Sequence, residues 1–185
     1  MYPPSIQIAI ADDHQLIRST ITSYLNSVEG FNVSINVANG KELIDKIFKA
    51  QSLPDICIID ISMPVMNGYD TMVYLKKTWP SMKGLALSVT GTYFSILEMF
   101  RSGANGYLKK SASPDELEKA IKKIYEADFY FSDVVLTKIP GINSKNFTKI
   151  KENVFTDQEM KFLCLCCSEF TYAEIADKMN LSRRT

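Results

Sequence analysis

The sequence predicts an α/β fold: a parallel sheet covered on both faces, followed by a linker and a smaller all-α part. Three observations predict it. Short apolar runs alternate with helical stripes through about residue 127. One run, Ile56-Cys57-Ile58-Ile59, is wholly apolar, as suits a strand buried on both faces. Beyond residue 127 the alternation stops, and a polar stretch leads into two closely spaced helix-start signals. At 185 residues there is room for one medium domain and a small one.

The elements follow in order. Ile6 to Ala11 reads as a strand, and Ile17, Ile21, Leu25 and Val28 mark a helix over 14–28. Phe31, Val33, Ile35 and Val37 alternate as a second strand. Leu43, Ile44, Ile47 and Phe48 share one face of a helix that begins at Asn39. After the apolar third strand, 67–78 forms a helix, Gly84 to Val89 a fourth strand, 93–102 a helix, and Gly106 to Leu108 a fifth strand. Ser113-Pro114-Asp115-Glu116 combines an N-cap serine, a proline at the first helical position and a glutamate that closes the capping box. Leu117, Ala120, Ile121 and Ile124 are the stripe of that helix. Right-handed crossovers then favour a flavodoxin-like doubly wound (βα)5 sheet of order 2-1-3-4-5 over residues 1–127.

Residues 128–153 read as a linker, with Phe129-Tyr130-Phe131 sticky enough to lie against a domain. Residues 154–185 read as an incomplete all-α part. Thr156-Asp157-Gln158-Glu159 and Thr171-Tyr172-Ala173-Glu174 each open a helix, and Ser182 is a third N-cap three residues from Thr185.

Composition narrows the function classes. No apolar run reaches the roughly 18 residues of a membrane span, and the N-terminus has no basic segment before Ile6, so no secretory signal is read. Cys164, Cys166 and Cys167 crowd together without finger-type spacing. They read as helix-core cysteines rather than a zinc site, and as reduced thiols of a cytoplasmic protein. Formal net charge is zero, with acids and bases balanced on both sides of residue 127. A surface that grips nucleic acid normally carries a basic excess.

In a doubly wound sheet, ligands bind beyond the carboxyl ends of the strands. Asp12 and Asp13 follow strand one, Asp60 ends strand three, Ser88 ends strand four, and Lys109 and Lys110 follow strand five. Crowded carboxylates raise one another's pKa unless a cation sits among them. Mg2+, a hard cation, accepts one or two carboxylates, keeps several waters and takes further oxygens from a phosphoryl group. A neighbouring lysine can pair with phosphoryl oxygen, the Ser88 hydroxyl can donate to another, and Asp60 is placed to become an acyl phosphate. His14 adjoins the acids, but a ring at a helix start is expected to face solvent.

Asp12-Asp13, Asp60-Ile61-Ser62-Met63-Pro64-Val65-Met66-Asn67-Gly68, Leu87-Ser88 and Gly103-Ala104-Asn105-Gly106-Tyr107-Leu108-Lys109-Lys110 together resemble the receiver domain of two-component response regulators. Phe155 to Glu159, Glu174-Ile175-Ala176 and Leu181 to Thr185 resemble the opening of a LuxR-type helix-turn-helix. The combination is similar to the NarL/FixJ class of transcriptional regulators. The resemblance implies Asp60 as phosphoacceptor, Asp13 as a direct Mg2+ ligand with Asp12 helping through water, and the Ser62 main-chain carbonyl as another ligand. It implies Ser88 as switch hydroxyl and Tyr107 as the aromatic that turns inward with it. The lysine three positions after the tyrosine, Lys110, becomes the conserved-type cation, with Lys109 where the pattern has leucine. A sensor histidine kinase is the implied donor. DNA is the implied target of a complete C-terminal domain, and a homodimer on phosphorylation is a further implied partner; no membrane is involved. Such a protein takes and loses a phosphoryl group without being a turnover enzyme.

Two other readings compete. As 1–185, with no recognition helix identified before Thr185, the chain can be a receiver and protein-interaction module that binds no DNA; Arg183 and Arg184 then read as a solvated end. A flavin carrier on the same fold lacks a phosphate loop after strand one, and a haloacid-type phosphatase lacks the second acid, since Ser62 stands two after Asp60.

Overall fold

A computed structural model describes residues 5–138, 174–176 and 179. Its elements run β1 (Ile6–Ala11), α1 (Gln15–Ser27), β2 (Phe31–Val37), α2 (Gly40–Lys49), β3 (Ile56–Asp60), α3 (Gly68–Thr78), β4 (Lys83–Ser88), α4 (Tyr93–Arg101), β5 (Gly106–Lys109), α5 (Pro114–Ala127), β6 (Tyr130–Phe131) and α6 (Asp133–Lys138). All strands pair in parallel, in the order β2-β1-β3-β4-β5-β6. The expected order 2-1-3-4-5 is present, extended by one strand.

Strand periodicity explains the two cores. Successive side chains point to opposite faces, so Ile56 and Ile58 enter one layer while Cys57 and Ile59 enter the other. The first layer joins Ile8, Ile10, Leu85 and Leu108 to Leu25 of α1 and to Leu117, Ile121 and Ile124 of α5. The second joins Ala9, Ala11 and Ala86 to Leu43 and Ile47 of α2, Met72 and Leu75 of α3, and Ile96 and Phe100 of α4. Every residue of β3 is buried, which seats Asp60 at the centre of the sheet.

Capping places the helices as the sequence leads one to expect. The side chains of Asn39, Asn67, Thr92 and Ser113 accept from the amides of Glu42, Asp70, Ser95 and Glu116 and so start α2, α3, α4 and α5. α5 ends where Asp128 turns left-handed, with φ at 68°.

The sixth strand is the main addition. Tyr130 and Phe131 pair with Gly106 and Tyr107, inside the stretch expected to be linker. The Ser132 hydroxyl, buried, donates to the main-chain carbonyl of Tyr107 at 2.7 Å, and Val135 of α6 is fully buried in the layer of Phe100 and Tyr107. Sequence periodicity cannot reveal a two-residue strand, because alternation needs at least four positions to register. Ser132→Ala should lower stability by about 1–2 kcal/mol through this lost buried hydrogen bond, read by urea unfolding. An unchanged midpoint would show that the contact contributes nothing.

Further along, Glu174, Ile175 and Ala176 are helical, in keeping with the second C-terminal helix. The helix start at Thr156, the cysteines 164, 166 and 167, the N-cap at Ser182 and Arg183 and Arg184 lie outside the described residues.

Candidate phosphoacceptor site

The site forms where β1, β3, β4 and β5 end side by side. Asp12 follows β1 and Asp60 ends β3, and both are buried although both are acids. Lys110, just past β5, reaches back between them. Its Nζ lies 2.7 Å from Asp60 Oδ2 and 2.8 Å from Asp12 Oδ2, and the side chain is only 6% exposed. Lys109, by contrast, points outward. The 2.8 Å approach to Asp12 is an ion pair without hydrogen-bond alignment. Asp12 Oδ2 is the one buried side-chain oxygen among the described residues that no hydrogen bond satisfies.

Local hydrogen bonds hold the acids. Asp12 Oδ1 accepts from the His14 amide at 2.8 Å, and the Arg18 guanidinium donates to the Asp12 carbonyl while its Nε donates to Asn36 Oδ1 at 2.7 Å. Arg18 thus ties the β1–α1 turn to β2, a positioning role with no signature in sequence beyond a charge on an otherwise uncharged helix. Asp60 Oδ1 accepts from the amide of Ser62 at 3.3 Å. Burial, with the Asp12 charge, lifts the Asp60 carboxyl above the ordinary aspartate range against the opposing pull of Lys110 and the Ser62 amide. Burial works against the Lys110 ammonium, but Asp12 and Asp60 together outweigh it and hold its pKa above the ordinary lysine value.

Ser88 stands one strand away from Asp60, and Tyr107 two strands away. Ser88 ends β4, buried, and its Oγ accepts from the Thr90 amide at 3.2 Å. Tyr107 is fully buried on β5. Its hydroxyl donates to the Thr90 carbonyl at 2.6 Å and lies 2.9 Å from Ser95 Oγ of α4. Burial raises its pKa, opposed by the hydroxyls of Ser88 and Ser95. The inward tyrosine therefore joins the β4 end to α4, with its ring in the core rather than in solvent.

His14 is exposed, as expected of a ring at a helix start. Its ring is half exposed, yet Nδ1 faces the carboxylates, 2.8 Å from Asp13 Oδ1, 3.3 Å from Asp12 Oδ1 and 3.9 Å from Asp60 Oδ2. Ligand atoms of Asp12, Asp13, His14 and Asp60 all lie within 4.8 Å of one another. Three clustered carboxylates suit a hard dication. The donor set therefore fits a divalent metal ion.

The β3–α3 loop carries strain. Val65 has a φ of 67° and is 84% exposed. A β-branched residue is a genuine outlier there, at a cost of roughly 1–2 kcal/mol. Val65→Asn should stabilise the fold by about 1 kcal/mol, since asparagine tolerates this region. Thermal or urea unfolding checks it, and a lower midpoint would refute the strain.

Comparison with known proteins agrees with this geometry. The response regulator receiver domain family matches residues 8–122. The response regulator protein VraR of Staphylococcus saprophyticus is 30% identical over 184 residues, covering 97% of this chain and 84% of its own length. Among solved structures, a LuxR-family two-component response regulator from Aurantimonas sp. SI85-9A1 superposes with a TM-score of 0.67 at 24% identity, over 73% of this chain and 95% of that one. The response regulator RcsB of Salmonella typhimurium gives 0.68 at 23%, over 97% of this chain and 85% of its own. At such identities these two structures speak for the fold alone. The family match spans more than half of the sequence and takes in each strand end that carries the acids and the lysine. On that ground the chain belongs to the two-component response regulators, of the NarL/LuxR-type class, and its described part is a receiver domain.

Proposed function

We propose that this protein is a phosphorylation-controlled transcriptional regulator whose receiver takes a phosphoryl group on Asp60 from a sensor histidine kinase. The observation that carries this reading is the buried Asp60–Lys110–Asp12 arrangement at the end of the central strand. A carboxylate with a raised pKa is a more basic nucleophile. Asp60 attacks phosphorus in line; the P–O bond forms as the P–N bond to the donor imidazole breaks, and the imidazole leaves with the electron pair. Lys110 is already within reach to pair with a transferred oxygen. Mg2+ held by Asp12, Asp13, Asp60 and the Ser62 main-chain carbonyl would offset charge on the phosphoryl oxygens. Ser88 follows the new negative charge, and Tyr107, sharing its hydroxyl environment with α4, carries the change to that helix.

Exposed apolar residues surround the strand ends: Leu16 at the start of α1, Val65 after β3 and Val89 after β4. They suit the docking of a kinase helix that presents its phosphohistidine. The expected receiver of 1–127 is extended through Lys138 by β6 and α6; under this reading the linker follows to 153 and the helix-turn-helix takes 154–185, in the cytoplasm. Among the described residues no helix is long and apolar enough to cross a membrane. RcsB has been studied for its DNA interaction; DNA and a second copy of the chain are the partners proposed here. Asp60 accepts one phosphoryl group and later yields it to water, so the protein signals rather than turns over substrate.

The test is incorporation of phosphate from acetyl phosphate. Labelling that requires Mg2+, is abolished by chelation and maps to Asp60 supports the reading; labelling elsewhere overturns it.

A further inference from the structure

The last turns of α2 and α3 lie at the end of the molecule opposite Asp60, because each crossover helix runs back from the carboxyl ends of the strands to their amino ends. Leu43, Ile44 and Ile47 of α2 are buried as their spacing requires, but Phe48, the next apolar residue, is 59% exposed. Its ring rests on Trp79, the residue that caps α3, with centroids 4.9 Å apart and planes tilted by 57°. Tyr74 of α3 is exposed on the same seam, close enough to Lys41 of α2 for the two groups to interact electrostatically.

Charge is sorted along this seam. The three acids of the two helices are engaged locally: Glu42 accepts from the Ala38 amide at 3.1 Å, Asp45 pairs with Lys41 at 2.9 Å, and Asp70 accepts from the Asn67 side chain at 2.9 Å. The last turns carry Lys46 and Lys49 on α2 and Lys76 and Lys77 on α3. Lys76 reaches the Met82 carbonyl. Lys46, Lys49 and Lys77 are exposed and pair with no acid among the described residues. Lys49, next to Phe48, and Lys77, three positions after Tyr74, flank the rings. Lysines in a last turn complement the helix dipole. The dipole does not account for a phenyl ring left in water against an indole.

We propose that the α2–α3 seam docks an acidic protein segment that carries apolar side chains. Phe48, Tyr74 and Trp79 form its apolar centre, and Lys49 and Lys77 form a cationic rim. Formal net charge is zero, so the positive surplus is local and selects where an acidic segment settles. Nucleic acid is the poorer match, because its backbone needs a wider basic surface and buries none of the rings. Docking here leaves the strand ends around Asp60 open, so it does not depend on the phosphoryl chemistry.

Trp79 is the single tryptophan of the sequence, so the emission of the full chain reads the seam directly. The probe is a synthetic amphipathic peptide of glutamate and leucine, and the control is its lysine–leucine counterpart. The glutamate peptide should shift the emission to the blue and saturate, with an affinity that falls as salt rises. The lysine peptide, and polyglutamate without leucine, should each bind about tenfold more weakly or less. Phe48→Ser, and separately the double change Lys49→Glu with Lys77→Glu, should weaken the glutamate peptide by about tenfold while phosphate incorporation stays at the wild-type level. No shift with the glutamate peptide, equal binding of both peptides, or unchanged affinity in the double variant overturns the proposal. A larger shift with duplex DNA, or a shift on concentrating the chain alone, also overturns it and gives the seam to nucleic acid or to a second copy. The peptide comparison on the unaltered chain decides even where a variant fails to fold.

Discussion

Asp60→Asn should abolish phosphate incorporation and, at neutral pH, raise the melting temperature. The loss is complete because an amide oxygen cannot form the acyl phosphate. The stabilisation follows from the direction of the titration. The folded chain holds the Asp60 proton more tightly than the unfolded chain does, chiefly because the carboxyl is buried. Stability therefore falls as pH rises from the ordinary aspartate value, about 3.9, through the raised one, and the deficit persists above it. Asparagine has no charge to bury, and Lys110 keeps Asp12 at 2.8 Å as a partner. The advantage of the variant should be absent in acid, grow through that window and remain at neutral pH. Paired labelling and thermal melts check both halves. Undiminished labelling would sink the assignment; a lower melting temperature at neutral pH would mean that the Lys110 pair outweighs burial. Loss of function with gain of stability also separates chemistry from unfolding.

Gly68→Ala should cost about 3 kcal/mol and slow labelling as well. Gly68 opens α3, and its amide donates to the Ile61 carbonyl at 2.9 Å. A Cβ there would stand 2.5 Å from the Asp60 carbonyl oxygen and 2.8 Å from Ile61 Cα. Both are backbone atoms, so no side chain can swing aside. Either α3 retreats from the sheet or the end of β3 moves, and Asp60 moves with it. The requirement is space rather than an unusual dihedral angle. Urea unfolding and the initial labelling rate measure the two effects, and a variant with wild-type values in both would show that the loop relaxes freely.

Much of this architecture was legible in the residues because local and global signals agree. Ser113, Pro114 and Glu116 announce α5, and the cap is found at Ser113. Four apolar residues before Asp60 announce a strand covered on both sides, and both layers claim them. Strand ends name Asp12, Asp60 and Lys110 as neighbours because the parallel topology leaves them nowhere else to meet. The remainder depended on rotamers and on distant contacts. Exposure of His14 at a helix start was expected and is found, but nothing in a sequence says that its Nδ1 turns toward Asp13. Tyr107 could pack or switch; its burial shows the packing, and its hydroxyl partners show what a switch could pull on. Arg18 reads as a surface charge until β2 is seen beside it. The strain at Val65 is invisible before a dihedral angle is known.

β6 has a practical consequence. The polypeptide downstream of α5 returns to zip onto the outer rim of the sheet, along Gly106 and Tyr107. A fragment ended at Ala127 would bare that rim, with unpaired amides and carbonyls offered to any neighbouring molecule, the circumstance in which strands recruit one another into aggregates. Such a fragment should be the stickier preparation, and one carried through Lys138 the more tractable.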